Sequence, residues 1–206
     1  PLAWDLPYSH PAGLAFHAGE LWVPDWDSQT VYRLAPKTLA TKRAIHYPKE
    51  TPTALALTRD SLWIAAAGGV LVRHMLDESL TPLARVPDRL GPSLGVAYDG
   101  LYLWTVDMKT KKIHKRILDE KLTEVEAYDY PGSQPAALAW DGKSLWSLDA
   151  GSRELLRHAL DHPGRVTLRT TLPEYSDGRF KPTGLAFDGE RFWTTAERTR
   201  VTGPGR

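Results

Sequence analysis

The chain has 206 residues, a mass of 23.0 kDa, a formal net charge of +1 and 42% hydrophobic residues. Its basic residues are scattered among acidic ones and no run approaches the roughly 18 apolar residues of a membrane span, so we expect no nucleic-acid partner and no membrane insertion. The absence of Cys excludes disulfides, thiolate catalysis and cysteine-ligated metals from what we expect to be one soluble globular domain.

The first repeated unit covers about residues 11–50. Pro11 opens it, and an alternation of small and large residues at 13–16 predicts a first strand. A polar turn leads to a second strand around Trp22, and the sequence Thr-Val-Tyr-Arg at 30–33 predicts a third. A fourth strand is expected to end at Pro48, because proline cannot donate to a sheet ladder.

The same order of features returns along the whole chain, at intervals of 41 to 47 residues. The tryptophans are Trp22, Trp63, Trp104, Trp146 and Trp193. The opening prolines are Pro11, Pro52, Pro92, Pro135 and Pro182. Three units also place Asp-Gly, a pair that favours tight hairpins, between the first two strands. A period near 40–45 residues built from short strands is typical of β-propeller blades.

The ends of the chain predict the number of blades. The last unit has two strands, a weak third strand near residues 198–202 and no fourth. Residues 3–7, Ala-Trp-Asp-Leu-Pro, match the proline-ended outer strands of other units. We therefore predict an all-β, five-bladed propeller with four-stranded blades, whose ring is closed when the N-terminal strand completes the C-terminal blade. The blades are expected at about 11–50, 51–91, 92–134, 135–181, and 182–206 plus 1–8.

Two sets of polar residues recur with the blades. Asp25, Asp107 and Asp149 stand three residues after a tryptophan, where they suit either a ring of metal ligands or hairpin caps that accept backbone N–H bonds. Recurrence in separate blades favours the caps, and no metal site is predicted. His74, Arg116 and His158 share another position, which we expect to be an exposed strand site.

Departures from the repeat are the best candidates for a functional site. The loop between blades and the loop between second and third strands should share one face, because successive strands alternate in direction. The residues predicted for a ligand or partner face there are His10, Trp26, Glu50, Met108, Tyr130, Gln134, Tyr175, Phe180 and Lys181. Trp26 stands out because an aromatic residue in such a turn is expected to be an exposed contact. No catalytic residue is assigned.

Residues 182–189 read Pro-Thr-Gly-Leu-Ala-Phe-Asp-Gly, and similar segments precede Leu-Trp-x-x-Asp and Ile/Val-x-Arg elsewhere. This pattern resembles the NHL, YncE-like and streptogramin-lyase-like propeller repeats, and more loosely the gluconolactonase-like group. The resemblance spans the chain and implies the fold, but no particular reaction. Relatives commonly have six or seven blades, so five is a departure. The lactonase-like metal site uses acidic and Asn side chains, and this chain has no Asn. The lyase-like members use channel His and Glu residues, and only His10 lies at a comparable place.

Three functions remain open. The preferred hypothesis is a non-catalytic module that binds a protein or small ligand through the predicted face. The first alternative is a metal-assisted hydrolase or lyase in which His10, Glu50, Gln134 and Lys181 supply acid, base and charge stabilisation. The second is a carbohydrate-binding propeller, although no exposed aromatic recurs in each blade. No cofactor is predicted, but a divalent metal belongs with the first alternative.

The compartment and growth temperature are inferred from composition. The chain begins at Pro1 without Met or a signal sequence, so either a leader was removed on export or the chain was trimmed. A periplasmic or secreted location is the expectation. Few thermolabile residues beside 16 prolines are typical of thermophilic proteins, although a GC-rich genome biases composition in the same direction.

Overall fold

Each complete repeat unit folds into a four-stranded antiparallel sheet in the computed structural model, which describes residues 3–89 and 91–199. The first sheet contains β1 (Ala15–His17), β2 (Glu20–Asp25), β3 (Thr30–Leu34) and β4 (Thr41–His46). The second contains β5 (Pro52–Leu57), β6 (Ser61–Ala66), β7 (Val70–Met75) and β8 (Pro82–Pro87). The third contains β9 (Ser93–Tyr98), β10 (Tyr102–Asp107), β11 (Lys112–Ile117) and β12 (Glu124–Asp129). The fourth contains β13 (Pro135–Trp140), β14 (Leu145–Asp149), β15 (Glu154–His158) and β16 (Val166–Thr171).

A 3-10 turn (Pro173–Tyr175) follows the fourth sheet and leads to the hairpin β17 (Phe180–Phe187) and β18 (Phe192–Arg198). The first strands of the five sheets contact one another in sequence, and β17 also contacts β1. The molecule is therefore an all-β propeller, with four four-stranded blades and a two-stranded sheet in the fifth position of the ring. None of the helical segments in the described part of the chain is long and apolar enough to cross a membrane.

Small residues in the first strands allow the sheets to meet around the axis. A Cβ added to Gly95 of β9 would lie 2.6 Å from the backbone nitrogen of Leu138 in the next sheet. A Cβ on Gly184 would lie 2.5 Å from the backbone carbon of Gly13, across the junction between the last and first units. Neither approach leaves room for a side chain, which explains the small residues that alternate with large ones in these strands.

The repeated tryptophans pack between sheets and also fasten the turns. Trp22, Trp63, Trp104 and Trp146 are buried. Trp193 is only half-buried, in a sheet of which the described residues form two strands. Where the turn is Asp-Gly, the indole N–H donates to the turn carboxylate five residues earlier. The three bonds are Trp104 to Asp99 (2.7 Å), Trp146 to Asp141 (2.6 Å) and Trp193 to Asp188 (2.7 Å).

The predicted N-terminal strand is not formed. Residues 3–10 are irregular, and they contact the ring through side chains instead of a strand ladder. The Trp4 ring stacks on Trp193 with centroids 5.7 Å apart, and Leu6 and Tyr8 pack on the cluster that contains Leu14 and Ala186. Aromatic and aliphatic surface therefore replaces the expected backbone pairing. The weak third strand predicted near residues 198–202 lies largely outside the described residues.

The expected exposure of His74, Arg116 and His158 is wrong, because all three are buried beside the connection that leaves the preceding unit. His158 takes part in a network of neutral groups. Its Nδ1 donates to the Pro163 carbonyl (2.6 Å), and its Nε2 accepts from the Ser147 hydroxyl (2.8 Å). Burial lowers the pKa of His158 to about 4, with Arg169 adding to the effect and the Pro163 carbonyl opposing it.

We expect the protein to lose about 3 kcal/mol of stability through His158 as the pH falls from 6.5 to 4. The folded pKa lies below the unfolded value, so the unfolded chain takes up the proton first. The contribution is therefore complete above pH 6.5 and is lost towards pH 4. Chemical denaturation at several pH values between 4 and 6.5 measures how steeply the free energy of unfolding depends on pH. His158→Gln should flatten this dependence, and the exposed control His46→Gln should not. An unchanged slope in His158→Gln would contradict the assignment.

Candidate functional site

The recurring aspartates fix the backbone at the mouth of the central channel. Asp25 is buried at the end of β2 and accepts the N–H groups of His10 (2.7 Å) and Ser28 (2.8 Å). The Trp26 N–H then donates to the His10 carbonyl (3.2 Å). These bonds join the segment before the first blade to the turn after β2. They place the His10 and Trp26 side chains next to each other.

The other two aspartates cap their hairpins in the same way, which confirms the structural interpretation of this set. Asp107 accepts the Thr110 N–H (2.7 Å), and Asp149 accepts the N–H groups of Ser152 (2.7 Å) and Gln134 (2.9 Å). Burial alone would raise the pKa of Asp149, but these donors and the Ser133 hydroxyl outweigh it and hold the pKa below its usual value. Among residues 3–89 and 91–199, no three His, Asp or Glu side chains are grouped so that they could hold a metal.

A cavity of about 320 Å³ lies where the blade-opening segments converge. Four of the five opening prolines and Leu94 form much of its apolar wall. Hydroxyl, amide and charged groups supply the polar part. The lining residues are Pro11, Ala12, Trp26, Thr51, Pro52, Thr53, Leu94, Gln134, Pro135, Ala136, Ala150, Lys181, Pro182, Thr183 and Glu197.

Glu197 is the centre of the polar cluster at this mouth. Its Oε1 accepts the indole N–H of Trp26 (2.8 Å) and lies 2.9 Å from Nδ1 of His10. A carboxylate only accepts hydrogen bonds, so His10 carries its proton on Nδ1 in this contact. The His10 and Trp26 ring centroids are 4.4 Å apart. About a quarter of each of the His10 and Glu197 side chains is exposed, so the cluster is accessible from solvent.

Lys181 faces the same cavity from the adjacent strand. It lies directly opposite Glu197 in the register of β17 and β18. The two side chains nevertheless do not pair, because Glu197 is directed towards His10 and Trp26. Within the described part of the chain, no carboxylate lies within 4.0 Å of the Lys181 ammonium. The cavity therefore presents one cation and one anion that do not neutralise each other by contact.

The predicted face divides into two groups. Trp26, Gln134 and Lys181 line the cavity and His10 contacts its rim, so these four are brought together. Glu50, Met108 and Phe180 do not line it: Glu50 pairs with Arg85, and Phe180 packs on the cluster around Leu185.

Tyr130 and Tyr175 do not lie on an exposed face, since both are buried. Each packs under the next sheet, where the Tyr130 hydroxyl contacts Ser147 and the Tyr175 hydroxyl contacts Thr194.

Glu197 is the site residue that the sequence analysis missed. It occupies the position after the recurring aspartate slot, where other units carry Trp26, Ala67, Met108 and Ala150. An acidic residue in a position otherwise filled by apolar ones was the available signal. Its partner His10 lies 187 residues away in sequence, so no local pattern could connect the two.

No family model matches the sequence, and no curated protein matches it either. Solved structures do share the fold. Glutaminyl cyclase from Myxococcus xanthus superposes with a TM-score of 0.78 at 15% identity, covering 92% of this chain and 89% of the cyclase. A catalytically inactive virginiamycin B lyase from Staphylococcus aureus, solved with quinupristin, superposes with a TM-score of 0.57 at 20% identity, covering 94% of this chain and 65% of the lyase. A streptogramin B lyase superposes with a TM-score of 0.56 at 18% identity, covering 98% of this chain and 69% of the lyase. The expected likeness to streptogramin-lyase propellers is thus confirmed for the fold.

Proposed function

We propose that this propeller binds a small ligand in the cavity at its channel mouth and acts as a non-catalytic binding module. The observation that carries the proposal is the cluster of Glu197, His10 and Trp26 beside a concave apolar wall. Ligand sites in proteins commonly combine such a wall with a few fixed polar groups. Propeller axes also bring residues from distant parts of the chain to one place, as His10 and Glu197 are here.

We also propose that the two-stranded sheet is a fifth blade, which residues 3–8 complete by side-chain packing. The contact between β17 and β1 supports this completion of the ring, as does the stacking of Trp4 on Trp193. Completion of the ring bears directly on the site. Glu197 belongs to β18 and His10 follows the N-terminal segment, so both depend on this junction.

A second candidate function is catalysis at the same cavity. The likeness in fold covers 89% of the glutaminyl cyclase chain, and the other two solved structures named above are lyases. The contact between His10 and Glu197 is the chemical feature that favours it, since a carboxylate that orients an imidazole can help it to move a proton at a substrate amine or hydroxyl. The metal-assisted form has less support, because Glu50 is paired with Arg85 outside the cavity.

Nuclear magnetic resonance of the tryptophan indoles tests the binding proposal. In the ¹⁵N-labelled protein, a library of small metabolites should contain compounds that shift the Trp26 indole signal and leave that of Trp4, an exposed tryptophan of the N-terminal segment, unchanged. Glu197→Gln should weaken the hits by about tenfold, because a charge-assisted acceptor is lost. Trp26→Phe assigns the signal.

The same samples separate the two candidate functions. Mass spectrometry after incubation should recover each hit unchanged if the propeller only binds it. Conversion of a hit that stops in His10→Ala would favour catalysis. If no compound moves the Trp26 signal, the cavity is not the ligand site. If hits bind Glu197→Gln as well as they bind the unaltered protein, the cluster around Glu197 does not hold the ligand, and the observation that carries the proposal fails.

A further inference from the structure

We infer that the ligand of this cavity is a small zwitterion, a free α-amino acid or a molecule of similar size with an ammonium and a carboxylate close together. This inference rests on the proposed binding function and adds the chemical class of the ligand. It follows from three features of the cavity: an anion with spare acceptor capacity, a cation without a partner, and an apolar wall between the blades.

The anion is Glu197. Its two hydrogen-bond contacts with the described part of the chain, to His10 and Trp26, both reach Oε1. Oε2 makes no hydrogen bond with the described residues, so it is available to accept from a ligand ammonium. The Trp26 ring lines the same cavity and is 40% exposed, which gives a cation a neighbouring aromatic surface. The two donors on Oε1 also hold the carboxylate in place before the ligand arrives, which reduces the entropy lost on binding.

The cation is Lys181. Residues opposite each other in an antiparallel pair have side chains close enough to interact, so Lys181 and Glu197 would be expected to form an ion pair. They do not, since Glu197 contacts His10 and Trp26 and the Lys181 side chain is exposed to solvent. Lys181 is left as a donor with no acidic partner among the described residues at a cavity whose other charged lining group is Glu197. A ligand with a single charge would satisfy one of these groups, whereas a zwitterion satisfies both.

The apolar wall limits the remainder of the ligand. Pro11, Pro52, Pro135, Pro182 and Leu94 offer contact area but no hydrogen-bond donors from their side chains. They suit an aliphatic or aromatic side chain. A volume of about 320 Å³ lies at the lower end of the range for ligand sites, which favours one amino acid over a longer peptide.

Titration calorimetry with blocked amino acids tests the inference. Leucine and phenylalanine are the probes, each compared with its N-acetyl, amide and doubly blocked forms. Loss of either charge should weaken binding by about fivefold or more, since charge-assisted hydrogen bonds at a partly exposed site are worth on the order of 1 kcal/mol. Lys181→Met should remove the preference for leucine over leucinamide, and Glu197→Gln should remove the preference for leucine over N-acetyl-leucine. The exposed residues Lys143 and Glu190 supply the controls Lys143→Met and Glu190→Gln, which should retain both preferences.

The outcomes separate this inference from the proposal on which it rests. If the doubly blocked forms bind as well as the free amino acids and shift the Trp26 indole signal, the cavity is a ligand site but the ligand is not a zwitterion. The inference is also overturned if neither free amino acid binds while other compounds shift that signal. If no compound of any class shifts it, the binding function itself fails.

Discussion

Replacing Trp104 with Ala is expected to lower the free energy of unfolding by about 3–5 kcal/mol. The side chain is only 4% exposed and packs with Val106, Ile113 and Leu138, the last of which belongs to the next blade. Truncation would leave a cavity between two blades. It would also remove the hydrogen bond from the Trp104 indole to Asp99, and this bond fixes the turn before the strand. Chemical denaturation of both proteins at neutral pH gives the difference.

The chain contains a matched control for this experiment. Trp26 is also at or just beyond a second strand, but it is 40% exposed at the cavity rim. Trp26→Ala should therefore cost about 1 kcal/mol or less. Trp104→Phe retains most of the packing but loses the hydrogen bond to Asp99. Its loss in free energy of unfolding should therefore lie between those of Trp104→Ala and Trp26→Ala. Equal losses for Trp104→Ala and Trp26→Ala would mean that the recurring tryptophans do not hold the blades together.

The blades were predictable because their contacts are local and repeated. The indole of Trp104 bonds to Asp99 five residues earlier, and Asp107 caps a turn three residues later. Such short-range partners leave a sequence signature, and repetition amplifies it. The alternation of small residues in the first strands was also readable, since each blade must narrow towards the axis.

Contacts between blades were not predictable in the same way. Tyr130 and Tyr175 seemed exposed because each follows an outer strand in a connection, yet their hydroxyls reach Ser147 and Thr194 on the next sheet. His158 was expected to be a surface strand residue because it shares its position in the repeat with Arg116. A single unit does not reveal which of its faces a neighbouring sheet covers, and both faces of a third strand carry polar residues here.

The candidate site was the hardest part to predict, because its residues come from opposite ends of the chain. His10, Trp26, Gln134 and Lys181 could be selected because they break the repeat on one face. Glu197 could not be connected to them, since the ring brings the two ends of the chain together only after folding. The geometry at the mouth therefore depends on the junction between the first and last units more than on any one blade.

Removal of residues 1–8 is expected to destabilise the protein by about 3–5 kcal/mol, although residues 3–8 form no strand. Trp4 stacks on Trp193, Leu6 joins the apolar cluster at the junction, and the Tyr8 ring lies parallel to that of Tyr32 with centroids 4.0 Å apart. A large apolar side chain contributes about 1.5–3 kcal/mol when fully buried. Leu6 and Tyr8 are partly buried, whereas Trp4 is about half exposed, so each contributes only part of that value. Thermal and chemical denaturation measure the loss.

The truncation should destabilise one part of the ring more than the rest. Hydrogen exchange in the truncated protein should rise first in β1, β17 and β18, because the segment packs on these sheets, while β9 and β10 on the far side keep their protection. Leu6→Ala and Tyr8→Ala should each reproduce part of the effect. The truncated protein should also lose ligand affinity, because His10 and Glu197 would no longer be held together. An unchanged melting temperature would refute closure of the ring by this segment, and with it the proposed fifth blade.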